Sequence, residues 1–211
     1  MYGCAGVSGV KTTSAYQEGT MELEKIALLP VQRILPESPE QTFARCPLSG
    51  AFLRTCGVPG DGAEVEVESL FVNALRSSRK YVLIPSGRTE GLYKRIRTGS
   101  FKEPVGEELK KVGEELGADA VIAGYVFCYR ERMGYTYAVE QPASAVFIFH
   151  LVRVSDGDVV WSGTFDKTQG SLMTNILDIR TFFKGGGKWI TVRELSEQGV
   201  GELLKSFPER E

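Results

Sequence analysis

Four cysteines and one histidine carry most of the reactive chemistry in this chain. Cys4 stands between Gly3 and Ala5. A small residue directly before a cysteine marks the point at which bacterial lipoprotein precursors are cut, so Cys4 is expected to carry a diacylglycerol on its thiol; an accidental Gly-Cys near the terminus of a cytosolic protein is the alternative. Cys46 and Cys56 share one Pro- and Gly-rich stretch, spaced too widely for a CxxC redox or zinc pair. In an oxidising compartment they could join, and closing that short loop would contribute roughly 2–3 kcal/mol. A Cys46–Cys56 disulfide is the expected state; two free buried thiols are the alternative. Cys128 lies inside an apolar run and reads as an inert core thiol.

The remaining candidates for chemistry are sparse. His150 alternates with Val146, Ile148 and Val152, so it shares their side of a strand and reads as a structural residue. No serine or cysteine stands at a spacing that nominates a triad with it. Glu131, Glu140, Asp166 and Asp178 are scattered, and no carboxylate pair stands out for acid–base work. Gly185-Gly186-Gly187-Lys188 fails the phosphate-loop pattern, because Phe182 replaces its first glycine and Trp189 its Ser/Thr. The sequence thus nominates no catalytic, cofactor-binding or metal-binding residue, and no cofactor. Tyr135 and Tyr137 sit in a connection between strands with no burial pattern, where exposed aromatics suit a protein contact; folding back onto the domain is the alternative.

The elements that must position these residues follow from composition and periodicity. The chain has 211 residues, 42% hydrophobic and 25% charged, enough for one domain with an ordinary core. A net charge of −2 lacks the basic footprint of nucleic-acid binding. No run reaches the roughly 18 apolar residues of a membrane-spanning helix. Residues 1–24 read as a flexible lipoprotein tether, because Ala5 to Thr20 is rich in Gly, Ser, Thr and Ala and cannot offset its ordering entropy. Such a tether reaches about 20–25 Å. Residues 25–211 read as a single α/β domain.

Within that domain, Lys25–Val31 and Tyr81–Pro85 are apolar enough to be strands covered on both faces. Gln32 to Gly62, with its prolines, reads as a long loop. A helix is expected over residues 63–77, with Val67, Leu70, Phe71, Ala74 and Leu75 on one face. Residues 86–104 are polar and partly helical. A further helix spans 106–116 and ends at Gly117, a left-handed cap. Strands follow over 121–132, 144–154 and 158–167, the last two joined by an Asp156-Gly157 turn. A last helix opens at Thr191, where Glu194 completes a capping box. The order predicts an α/β (α+β) fold: a single mixed β-sheet of about five strands with helices packed mainly on one face.

Two segments carry a resemblance. Glu107 through Gly124, above all Leu116-Gly-Ala-Asp-Ala-Val-Ile-Ala-Gly124, and Leu151 through Gly163, with its Asp-Gly turn and Val-Trp-Ser strand, look like CsgG-type lipoproteins and the amino-terminal domain of TolB. The resemblance covers about residues 25–207. It implies a CsgG/TolB-like fold and a binding or assembly role, without chemistry. The chain departs from pore formers of that type: Arg130-Glu131-Arg132 ends a strand in charge, and no transmembrane hairpin is legible. The expectation is a non-enzymatic cell-envelope lipoprotein, anchored to the outer membrane on its periplasmic side. It would bind other envelope proteins, with homo-oligomerisation left open. The alternative is a small-ligand-binding or hydrolytic periplasmic domain with a pocket at the sheet edge.

Overall fold

The apolar runs between residues 120 and 160 form the centre of the molecule. In a computed structural model of the chain, which describes residues 9–14, 23–38, 40–78, 81–99, 103–135, 138–169 and 190–208, two long antiparallel strands lie side by side. They are β7 (Ala120–Arg130) and β10 (Ser144–Arg153). Nine consecutive residues of each are buried, which explains why these runs are continuously apolar rather than alternating: both faces are covered.

The elements preceding β7 are β1 (Gly9–Ser14), β2 (Lys25–Leu28), β3 (Gln32–Arg33), β4 (Phe43–Arg45), β5 (Phe52–Arg54), α1 (Ala63–Ser78), β6 (Val82–Ile84), α2 (Ser86–Gly99) and α3 (Val105–Leu116). A small hairpin, β8 (Met133–Tyr135) and β9 (Ala138–Gln141), separates β7 from β10. The described chain ends with β11 (Val159–Thr168) and α4 (Val192–Leu204). The main sheet runs β1-β11-β10-β7-β2-β6, and β3 pairs with β7 as its seventh strand. β2, β3 and β6 are parallel to their neighbours and the rest are antiparallel, so the sheet is mixed as expected. Its two unexpected strands come from unexpected places. β1 lies within the stretch read as a flexible tether, yet all of Gly9–Ser14 pairs with β11, opposite Trp161 to Asp166. β3 lies in the long loop after β2.

Helices cover both faces, where the expectation was of packing mainly on one. On the first face, α1 and α4 bury Val67, Phe71, Leu75, Leu195, Val200 and Leu203 against Ile122, Phe147 and Phe149. On the second, α2 and α3 bury Tyr93, Leu109 and Val112 against Val121, Tyr125 and Ile148. The sequence of α2 conceals this stripe. Thr89, Leu92, Tyr93 and Ile96 sit at helical spacing, but the helix's four cations and its glycines at 87 and 91 mask it.

Two local devices set the geometry. Gly117 adopts φ 57°, and the N–H of Ala118 bonds the Gly113 carbonyl at 2.9 Å, closing α3. Asp119 then accepts the backbone N–H groups of Glu24 and Lys25 at 2.9 and 2.7 Å, while the Lys25 ammonium donates to the Leu116 carbonyl. The Gly-Ala-Asp sequence is therefore the joint that starts β2 and β7 side by side. Gly124 leaves room for an aromatic pair: a Cβ there would stand 2.5 Å from the Phe149 ring, which stacks on Phe71 at 3.8 Å. Thr191 and Glu194 form the capping box expected at the start of α4.

Candidate functional site

A short hairpin dominates the second face. β4 and β5 pair so that Ala44 and Leu53 turn inward while Phe43, Arg45 and Phe52 turn outward. Three ties hold it to the sheet. Cys56, just beyond β5, is disulfide-bonded to Cys128 of β7. Arg54 donates from Nη2 to Asp166 of β11 at 2.7 Å and to Ser144 of β10 at 3.3 Å. Cys46, at the turn, places Sγ 3.4 Å from Nε2 of His150. Its outer surface carries two aromatics, Phe52 73% and Phe43 48% exposed, beside the exposed Arg45. Leu35 and Val58, from the flanking loop, are exposed as well.

The inner tie brings three side chains that could do chemistry into one cluster. His150 bridges Cys46 on one ring nitrogen and Ser162 Oγ, 2.6 Å from Nδ1, on the other. A thiol beside an imidazole is the arrangement of a cysteine nucleophile with its base. Here both are sealed: Cys46 is 1% exposed and His150 0%. Burial pushes the imidazole down to about 4, so it stays neutral near pH 7. Beside it Tyr125, also buried, has its hydroxyl pushed up. The trio serves to satisfy buried polar groups and fix the hairpin turn.

On the opposite face, a cleft of about 640 Å³ opens where α1, α4 and the end of β7 meet. Val65, Val192 and Tyr129 form its apolar lining, and Asp61, Glu66, Glu131 and Arg193 its charged rim. Each charge has a local task. Asp61 and Glu64 hold Arg33 at 3.0 and 3.2 Å, Glu66 pairs with Arg193, and Glu131 accepts the first N–H of α4. The Tyr129 hydroxyl is pushed up to about 12, by burial and then by Glu131. No group of His, Cys, Asp and Glu that could hold a metal occurs among the described residues. No helix among them is long and apolar enough to cross a membrane.

The structure redistributes the residues nominated from the sequence. Cys46 and Cys56 are not partners: Cys56 joins Cys128, and Cys46 is a free buried thiol. The reason is the hairpin, which sends Cys46 to its turn and Cys56 to its open end, over β7. Cys128 is thus a cross-link rather than an inert thiol. Cys4 lies outside the described residues, as do Tyr137 and the Gly185–Lys188 run. Tyr135 contributes its backbone to β8, and its side chain lies outside the description. Reading the sequence for long strands missed Phe43 and Phe52. Their signal was present as alternation, Phe43-Ala-Arg-Cys and Phe52-Leu-Arg-Thr around a Pro-Leu-Ser-Gly turn.

No protein-family model matches the chain, and no curated protein matches it in sequence. Solved structures do. The PelC dodecamer from Paraburkholderia phytofirmans is similar at 17% identity, with a TM-score of 0.53 over 96% of this chain and 98% of that one. Lipoprotein GNA1162 from Neisseria meningitidis is similar at 13% identity and TM-score 0.43, over 77% of this chain and 94% of that one. The LpoB C-terminal domain from Escherichia coli is similar at 14% identity and TM-score 0.41, over 72% and 88%. The PelC likeness, spanning nearly the whole of both chains, shows a shared fold. The narrower likeness to CsgG-type lipoproteins and TolB is not what these matches show.

Proposed function

We propose that this protein is an extracytoplasmic, non-enzymatic accessory of the bacterial envelope, held on the periplasmic side of the outer membrane by a lipid on Cys4, and that it works by contact with other envelope proteins and with copies of itself. The observation that carries this reading is the disulfide-held hairpin that turns Phe43 and Phe52 to solvent. A Cys56–Cys128 bond suits an oxidising compartment. Large aromatics fixed on a stiff scaffold lose little entropy on binding, which is how an interface gains affinity from few residues. The fold shared with a dodecameric protein supports self-assembly. Tyr135 and Tyr137 belong to this proposal as further partner-facing residues. The anchor begins at Cys4, and the chain from Lys25 onward, joined by β1, forms the folded body.

The test is fractionation of the protein expressed as its native precursor. The wild type should enter the detergent phase of envelope extracts, and Cys4→Ser should move it to the soluble periplasmic fraction. In-cell cross-linking should give adducts larger than one chain. Unchanged partitioning of Cys4→Ser removes the anchor from the proposal, and absence of adducts removes the assembly role.

A further inference from the structure

The hairpin and the cleft are complementary. The hairpin offers an aromatic knob, Phe52, directly opposite Arg45 in its cross-strand register. Both are exposed, and Arg45 has no carboxylate partner among the described residues. The cleft offers a volume of about 640 Å³ with an apolar lining that includes Val65, itself 68% exposed. Asp61, Glu66, Glu131 and Arg193 line it, with Glu64, Arg33 and Arg132 beside them. The acidic sign continues along both helices that frame it. α1 carries Glu64, Glu66 and Glu68 with one cation, Arg76, and α4 carries Glu194, Glu197 and Glu202 with Arg193. Knob and cleft lie on opposite faces of one sheet, so the knob cannot fill the cleft of its own chain.

We infer that the Phe52–Arg45 knob of one copy docks in the Val65–Tyr129 cleft of a second copy. The ring of Phe52 enters between Val65, Val192 and Tyr129, and the Arg45 guanidinium meets the carboxylates of the rim. Exposed apolar surface of this kind marks a contact site, and the charged groups fix its orientation. Because the two surfaces differ, the contact is head-to-tail: every copy gives a knob and receives one. Such contacts close into rings when the rotation permits and otherwise extend. The inference rests on the self-assembly part of the proposed function and names the surfaces that carry it.

Sedimentation velocity of the full chain, carrying Cys4→Ser so that no lipid is present, tests it. Phe52→Asp removes the knob, and Val65→Asp blocks the cleft. Both positions are exposed, and an acidic residue in the first turn of α1 suits the helix dipole, so the melting curves should stay close to the parent's. The parent should sediment as an assembly and each variant as a single chain. An equal mixture of the two variants retains one good knob and one good cleft, so it should form a species of two chains and grow no further. If either variant keeps the parent's assembly, or the mixture stays at one chain, this contact is overturned while assembly through another surface stands. A parent that sediments as a single chain overturns both.

Discussion

The Sγ atom of Cys46 lies 3.4 Å from Nε2 of His150, 104 residues away in sequence. This contact fastens the hairpin turn to β10, while the Cys56–Cys128 bond fastens its open end to β7. A neutral imidazole has one donor and one acceptor nitrogen. It can therefore satisfy both Cys46 and Ser162, whose hydroxyl and thiol hydrogens rotate to suit. On protonation both nitrogens become donors, which the same two partners can accept, but the buried ring then carries a charge that neither Cys46 nor Ser162 neutralises.

A pH dependence of stability follows from this. In the folded protein burial holds His150 down at about 4, against an ordinary value of 6.5. In the unfolded chain the ring titrates near 6.5 and takes up a proton that the folded state refuses. Its contribution is fully present above pH 6.5, is lost as pH falls from 6.5 towards 4, and changes no further below that. At about 1.4 kcal/mol per pH unit the loss reaches roughly 3 kcal/mol. Urea unfolding at about pH 7.5 and about pH 4.5 measures it. The drop should be clearly smaller in His150→Gln; equal drops in both proteins would place the effect elsewhere.

The cysteines make a separate prediction. Denatured but unreduced protein should leave Cys46 free to alkylate, with Cys56 and Cys128 protected, and native protein should protect Cys46 as well because it is buried. Peptide mapping reads each thiol individually. The bond spans 72 residues, so its loss should destabilise by about 4 kcal/mol on the chain-entropy model. Cys56→Ser and Cys128→Ser should lower the melting temperature by similar amounts, and the double variant by no more than either. A Cys46–Cys56 linkage in the peptide map would refute the arrangement.

Much of the body was legible because its strands and helices have strong local patterns. The runs at 120–130 and 144–153, the Gly117 cap and the Thr191–Glu194 box each depend on neighbours in sequence. The failures have a common cause in contacts made at long range. Gly9–Ser14 has one large apolar residue, Val10, is exposed at five of its six positions, and pairs as a strand along β11. Cys56 finds Cys128 only once a hairpin has crossed the sheet, so neighbouring cysteines were misleading. The cleft draws on residues from 60 to 193 and has no sequence signature. His150 was legible as a strand residue facing Val146 and Ile148, but Cys46 as its partner was not.

Asp119 gives the sharpest test of how sequence makes this fold. It sits between the cap of α3 and the start of β7, and its Oδ2 takes the backbone N–H groups of Glu24 and Lys25. Those two groups begin β2, which then pairs in parallel with both β7 and β6. Asp119→Ala leaves them without that acceptor. The Glu24 N–H is near solvent and can turn to water, whereas the Lys25 N–H is half-buried. The cost should be set by the latter, about 1–3 kcal/mol. Asp119→Asn keeps an acceptor oxygen but not the charge, and bonds to a charged acceptor are roughly twice as strong as neutral ones, so it should fall between wild type and Ala. Denaturant unfolding gives the ranking. Hydrogen exchange gives the location: the Lys25 amide should lose protection in Asp119→Ala beyond the global change, while Leu151 of β10 should follow the global value. Equal stability of Asp119→Ala and wild type would mean that β2 is positioned by its apolar contacts alone.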